Sequence, residues 1–413
     1  MRLTPEINGE RLLRRLSDFA EIGGTSVGGV NRQALSKEDC AARHLLADLA
    51  TARGFKVFQD PIANLFLRRE GRNPAQPPML VGSHLDSQPT GGRFDGALGT
   101  LAAFEVLEAL EDAGYDTEAA IEVVAWTNEE GSRFAPGVMG SMAFVGAAHP
   151  HDFQSLTASD GAYFTEELGA TLAALPLAEM RPLGTPISAY LELHIEQGPS
   201  LEREGLAAGV VTAVQGTRWL TVTFLGNAGH AGTTSLGYRR DPMVAATLAL
   251  SRLQASIMPQ DEDARLTVGR FSAHPGSINA IPDKVTFTVD IRHPDAASVT
   301  SIDAKVRAAC EEAALSQRCS VEITTSFDMP PGSFSKIMTD RIEAAAQALG
   351  LSYKRMISGA FHDALFVARV APAAMIFVPC RDGISHNEAE YVEPTDIING
   401  ARLLLEATLK SAR

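Results

Sequence analysis

The stretch PPMLVGSHLDSQPTGGRFDGALGTLAAFEVLEAL, Pro77–Leu110, decides how the chain is read. A short apolar run, PPMLVGS, enters a glycine-rich loop, and the loop opens into a helix-like run, GTLAAFEVLEALEDAGY. A buried strand followed by a helix is half of a βαβ unit, and the same pattern returns along the chain. AAIEVVAWTNEEG (119–131), SAYLELHIEQG (188–198) and AAMIFVPCRDG (373–383) are three further apolar strands. SKEDCAARHLLADLATARGF (36–55) has helical periodicity, with Ser36 as its N-cap and Gly54 as its stop. Apolar strands separated by helices predict an α/β layer built on a mostly parallel sheet.

The middle of the chain has another rhythm. WLTVTFLGNAG is a strand, DPMVAATLALSRLQASI a helix, ARLTVGRFS and DKVTFTVDIR alternating strands, AASVTSIDAKVRAACEEAAL a helix and CSVEITTSF a last strand. The order βαββαβ is that of a ferredoxin-like α+β unit. It is expected at residues 214–327, inserted into the α/β domain made of 1–213 and 328–413.

Composition narrows the function classes. With 413 residues the chain exceeds one ordinary core, and 45% hydrophobic against 21% charged residues is that of a soluble globular protein. A net charge of −14 argues against nucleic acid as a partner. No apolar run is long enough to cross a bilayer, which argues against a membrane partner. The N-terminal segment reads as an amphipathic helix without a signal peptide's apolar centre. Four scattered cysteines form no CxxC pair. A reduced, cytoplasmic protein with a small-molecule substrate is expected.

Each apolar strand delivers a candidate ligand at its carboxyl end, where open α/β sheets place their sites. His84 follows PPMLVGS, Glu129 and Glu130 follow IEVVAWTN, His194 closes AYLELHIEQG, and His386 lies just beyond AAMIFV. With Asp95 in the glycine-rich loop they supply three imidazoles and at least two carboxylates, a donor set for zinc-type ions. Five ligands crowd one ion, whereas two ions sharing a bridging carboxylate fit, and Asp95 is the candidate bridge. Gly91, Gly92 and Gly96 give the loop the freedom to turn tightly. Asp86, two residues after His84, can accept the ring N–H and fix its tautomer. Of the adjacent glutamates, one suits a metal ligand and the other a general base. Spacing alone does not assign them.

The motifs GSHLDS…GGRFDGALG, TNEEGSRF, LELHIEQGP, GNAGHAGTT and GISHNEAE occur in order through nearly the whole chain. Together they resemble the dinuclear metal amidohydrolases of the hydantoinase/carbamoylase family. That family includes N-carbamoyl-L-amino acid hydrolase, β-ureidopropionase and allantoate amidohydrolase, and is related to aminoacylases and carboxypeptidase G. The resemblance implies one ion on His84, Asp95 and His194 and a second on Asp95, Glu130 and His386. Zinc, or manganese, cobalt or nickel, is implied in each position. It makes Glu129 the base and gives substrate contacts to Gln197, His230, Asn279, Arg292 and His362, with His230 also polarising the scissile carbonyl. The resemblance also implies that the α/β domain is catalytic and that the inserted unit is its lid, through which a homodimer forms. Two positions depart from the family pattern: Phe361 replaces a usual glycine in GAFHDA, and Glu388–Ala389 replaces a proline-containing turn.

The expected reaction is hydrolysis of a linear amide or ureido bond in a small carboxylate substrate. An N-carbamoyl-L-amino acid or N-carbamoyl-β-alanine would give the amino acid, ammonia and carbon dioxide. Allantoate is the nearest alternative, followed by N-acyl amino acids or dipeptides. A binding protein that has lost catalysis is disfavoured by the retained Glu129. Nucleotide-binding GxGxxG and GxxxxGK[ST] motifs are absent.

Overall fold

The computed structural model describes residues 4–412. It divides into two compact units, one running up to Thr212 and resuming at Ser333, the other running from Ala213 to Gly332.

The first unit is an α/β layer on a ten-stranded sheet, counted among the described residues. At its centre Ala373–Val378, Ala189–Ile195, Met79–His84 and Ile121–Trp126 lie side by side, all parallel. Every residue of these four strands is buried, as a parallel sheet covered on both faces requires. The helix Ala97–Asp112 packs against this centre and is buried from Ala97 to Leu110. Its two inward carboxylates, Glu105 and Glu108, are met by Arg11 and Arg15 from the helix Gly9–Glu21 at 2.7 and 2.6 Å. The helix Lys37–Ala52 starts where the Ser36 hydroxyl accepts the Asp39 N–H, and Gly54 follows it at φ +78°.

Antiparallel flanks border this parallel centre. Leu65–Arg69 pairs with Ile121–Trp126 on one side, and Ala208–Val214 pairs with Ala373–Val378 on the other. These segments are short, rich in arginine or in small residues, and hold no clear alternation. On the second flank Phe334 N–H donates to the Thr212 carbonyl at 2.9 Å, so the chain leaves and re-enters the first unit at adjacent points.

The second unit is antiparallel, in the order Arg265–Thr267, Lys284–His293, Gly216–Leu225, Ser320–Met329. ARLTVGRFS is two strands rather than one, because Phe271–His274 pairs separately with Lys284–His293 beyond a break at 268–270. The helices Pro242–Ser256 and Ala296–Ser316 pack on one face. There Leu220, Val222, Phe224, Val285, Phe287, Val289 and Ile291 make the core, at the alternate positions that strand geometry assigns to one side.

Candidate metal centre

The four central strands end together, and their loops bring all five expected ligands into one cluster, in which His386 is the exposed member. Asp95 stands at its middle. Its Oδ1 faces His194 Nε2 at 3.0 Å and His84 Nε2 at 3.7 Å, while Oδ2 faces His386 Nε2 at 3.4 Å. Glu130 Oε2 is 3.3 Å from the same His386 nitrogen. The donor atoms of His84, Asp95 and His194 lie within 4.8 Å of one another, as do those of Asp95, Glu130 and His386. One carboxylate thus turns one oxygen to each trio.

The imidazoles are oriented for ligation. His84 Nδ1 lies 2.9 Å from the Asp86 carbonyl, and His194 Nδ1 lies 2.9 Å from the Ile195 carbonyl. In the neutral ring each contact fixes the proton on Nδ1 and leaves the Nε2 lone pair facing the cluster. His84 Nε2 is buried without a hydrogen-bond partner among the described residues. A buried ring nitrogen of that kind fits a cation that the protein atoms themselves do not supply.

Asp86 supports His84 in another way than the sequence suggested. Its carboxylate is 3.8 Å from Nδ1, and the backbone carbonyl takes the ring proton instead. The carboxylate accepts the backbone N–H groups of Glu129 and Glu130 at 3.3 and 3.2 Å, because the NEEG turn presents two amides toward it. The loop glycines also have a sharper reason. Gly96 adopts φ +63°, and a Cβ there would lie 2.2 Å from the His84 ring; at Gly92 it would lie 2.1 Å from the Glu390 carboxyl. Gly96→Ala is therefore expected to cost about 1–3 kcal/mol and to displace His84. Thermal unfolding and metal content of the variant check this.

Glu390 joins the centre without any signal in residue spacing. It is buried, its Oε1 accepts the N–H groups of Phe94 and Asp95 at 2.9 and 3.0 Å, and Ser385 bridges its Oε2 to Asp95 Oδ2. Gln197, at φ +55°, donates its amide to Asp95 Oδ2 at 2.9 Å and so reaches the centre itself. His362 is 1% exposed, its ring 4.6 Å from that of His194 and its Nε2 3.0 Å from Ser358 Oγ. It sits behind His194, where Glu192 completes a further buried group of possible donors. Phe361 beside it is half-buried, and Glu388 packs over Gly29.

Electrostatics follow from burying so many carboxylates together. Burial alone would raise Asp95, but hydrogen bonds to His194 and His386 and the nearby His84 hold it well below its ordinary value. Burial lowers His194, yet the Asp95 carboxylate outweighs it and lifts the imidazole to about 9. Glu130 is pushed up to about 8, by burial first and then by Asp95. Glu129 is raised well above the usual carboxylate range by burial, then by Asp363, Glu130 and Asp95. Protons held here in place of cations, and carboxylates too crowded to ionise freely, are what a site for divalent ions presents without them.

The second unit carries the remaining candidates. His230 and Asn279 meet on a two-stranded ribbon, His230 opposite Ala280, with the Asn279 carbonyl accepting Ala231 N–H at 3.0 Å. His230 Nδ1 accepts the N–H groups of Gly232 and Thr233 at 3.0 and 3.3 Å, which places the proton of the neutral ring on the exposed Nε2. Arg292 lies opposite Thr217 on the sheet and donates to the Asp290 carboxylate two residues earlier, at 2.9–3.1 Å.

Comparison with known proteins places these features in context. The model of peptidase family M20/M25/M40 matches residues 80–410. An N-carbamoyl-L-amino-acid amidohydrolase of Rhizobium meliloti is 38% identical over 410 residues, covering 98% of this chain and 97% of that one. Allantoate amidohydrolase of Escherichia coli is 35% identical over 399 residues, covering 96% and 95%. A crystal structure of an amidase of the hydantoinase/carbamoylase family from Burkholderia multivorans superimposes with a TM-score of 0.92 at 42% identity, covering 99% and 98%.

Proposed function

Because this chain belongs to peptidase family M20/M25/M40, we propose that it is a metal-dependent amidohydrolase acting on an N-carbamoyl-L-amino acid. The observation that carries this reading is the division of Asp95, with Oδ1 toward His84 and His194 and Oδ2 toward His386 beside Glu130. Two divalent ions, zinc first among them, fit the two groups of donors. When bound, they lower the pKa of water and polarise the scissile carbonyl.

The chain's own groups do the rest. Glu129 has its proton affinity raised by burial and by its carboxylate neighbours, so it can take a proton from water and pass it to the leaving nitrogen. His230, with its proton on Nε2, is a donor to the oxyanion of the tetrahedral carbon. Asn279 and Arg292 hold the substrate carboxylate, and Gln197 positions the reacting group beside Asp95. His362 backs His194 and borders the leaving amide. The inserted unit serves as lid and as the contact between two copies in a homodimer. Among the described residues no helix is long and apolar enough to cross a membrane, and we place the enzyme in the cytoplasm.

The test is ammonia release from metal-loaded protein given N-carbamoyl-L-α-amino acids, N-carbamoyl-β-alanine, allantoate and N-acetyl amino acids. Release from the first group at the highest kcat/KM is expected. A clear preference for allantoate replaces the substrate assignment, and no turnover of any member overturns the reading. Arg292→Ala is expected to raise KM for the carboxylate substrate about 10–100-fold with kcat little changed, the loss of a charge-assisted contact. Steady-state kinetics decide this, and an unchanged KM places the anchor elsewhere.

A further inference from the structure

The segment after the first metal strand works in steps of two residues. His84 offers Nε2 to the cluster, the Asp86 carboxylate takes the amides of Glu129 and Glu130, and Gln88 Nε2 donates to Glu130 Oε2 at 2.7 Å. The intervening residues face elsewhere. Arg32 Nε donates to the Leu85 carbonyl at 2.7 Å, and Ser87 Oγ accepts the Arg32 N–H at 2.9 Å. Gln88 is held at its base, because its carbonyl accepts Ser87 Oγ at 3.0 Å and Gly91 N–H at 3.2 Å. Ser132 Oγ in turn donates to the Ser87 carbonyl at 3.3 Å, tying this segment to the loop that carries Glu130.

We infer that Gln88 is a positioning residue for the second ion: its amide holds Glu130 Oε2 in place and so sets the affinity of the Glu130–His386 position without touching the His84–His194 position. The inference rests on the dinuclear reading above. Its chemistry is simple. A carboxylate has two oxygens, and a donor fixed on one of them limits how the group turns toward an ion. The held oxygen is the one 3.3 Å from His386 Nε2. A carboxamide carries no charge and does not titrate near neutrality, so it supplies this restraint at any pH at which the enzyme works. The two positions differ in what surrounds them. His84 and His194 are each 1% exposed and fixed by backbone carbonyls, whereas the His386 side chain is 49% exposed. Glu130 is therefore the rigid member of the outer trio besides Asp95, and Gln88 is the side chain that makes it so.

The experiment is calorimetric titration of the metal-free protein with Zn²⁺ and Mn²⁺, comparing wild type, Gln88→Leu, Glu130→Ala and the double variant. Gln88→Leu is expected to weaken one of two ions about 10–100-fold, the range for loss of an outer hydrogen-bond partner, and to leave the other within about twofold. In the Glu130→Ala background Gln88→Leu is expected to change nothing further, since its partner is gone. Gln88→Asn, which keeps the donor on a shorter arm, recovers part of the loss. Equal weakening of both ions, or an undiminished effect without Glu130, overturns the inference. Thermal unfolding of the metal-free variants separates a folding defect: a Tm loss together with weakening at both positions counts as general disruption and against it. Fewer than two ions in the wild type defeats the dinuclear reading itself, whereas two ions in wild type with unchanged binding in Gln88→Leu defeats the role of Gln88 alone.

Discussion

Glu129→Gln is expected to keep its bound metal and to lose about 10²–10⁴-fold in kcat, with KM little changed. Glutamine has nearly the same shape, so the NEEG turn, whose amides are held by Asp86, is retained. What vanishes is the ability to accept a proton from water and to return it to the leaving nitrogen. The raised proton affinity of Glu129 comes from burial and then from Asp363, Glu130 and Asp95, none of which the substitution removes. Metal analysis beside steady-state kinetics distinguishes the outcomes. Substantial turnover in the variant would remove Glu129 from the base role, and loss of metal would make it a ligand instead.

Asp95→Ala is expected to abolish turnover, by on the order of 10³-fold or more, and to weaken both ions at once. Every other ligand change should fall mainly on one ion. His84→Ala or His194→Ala touches the trio around Oδ1, and His386→Ala touches the trio around Oδ2. Asp95 alone faces both, with its backbone fixed by Glu390 and its Oδ2 by Gln197 and Ser385. Removing it also strips His194 of the carboxylate that does most to lift it to about 9, leaving only Glu192 and the Ile195 carbonyl against burial. Calorimetric titration of the variant reads the result; retention of one ion at wild-type affinity would contradict the shared bridge.

Much of this was legible because the chemistry-bearing residues sit at the ends of largely apolar strands. Runs such as MLVGSH and AYLELHI admit no polar residue without a partner, so a histidine at the end of each run stands out. The parallel centre and the ferredoxin-like order were readable for the same reason, from period and burial. Backbone-mediated contacts were not. Asp86 reaches Glu129 and Glu130 through their amides, and Glu390 acts on Asp95 through amides too, so neither leaves a signature in residue type or spacing. Gly92 gave a faint hint of Glu390, since it marks a place where another group approaches closely, but a glycine does not say which group. The antiparallel strands Leu65–Arg69 and Ala208–Val214 were hidden because their arginines and small residues blur the alternation that flags a strand. Arg292 shows the reverse: its partner Asp290 stands two residues away on the same strand, a spacing the sequence displays openly.

The hydrogen bond between Phe334 and Thr212 has a meaning for how such a protein diversifies. The point of departure and the point of return are already neighbours, so any segment whose own ends meet can be spliced there with little entropic cost to the host layer. His84, Asp95, Glu129, Glu130, His194 and His386 all belong to the host, whereas His230, Asn279 and Arg292 belong to the guest. On the proposed assignment the metal ligands and the base are written in one length of gene and His230, Asn279 and Arg292 in another, so the guest can drift or be exchanged while the metal centre is kept.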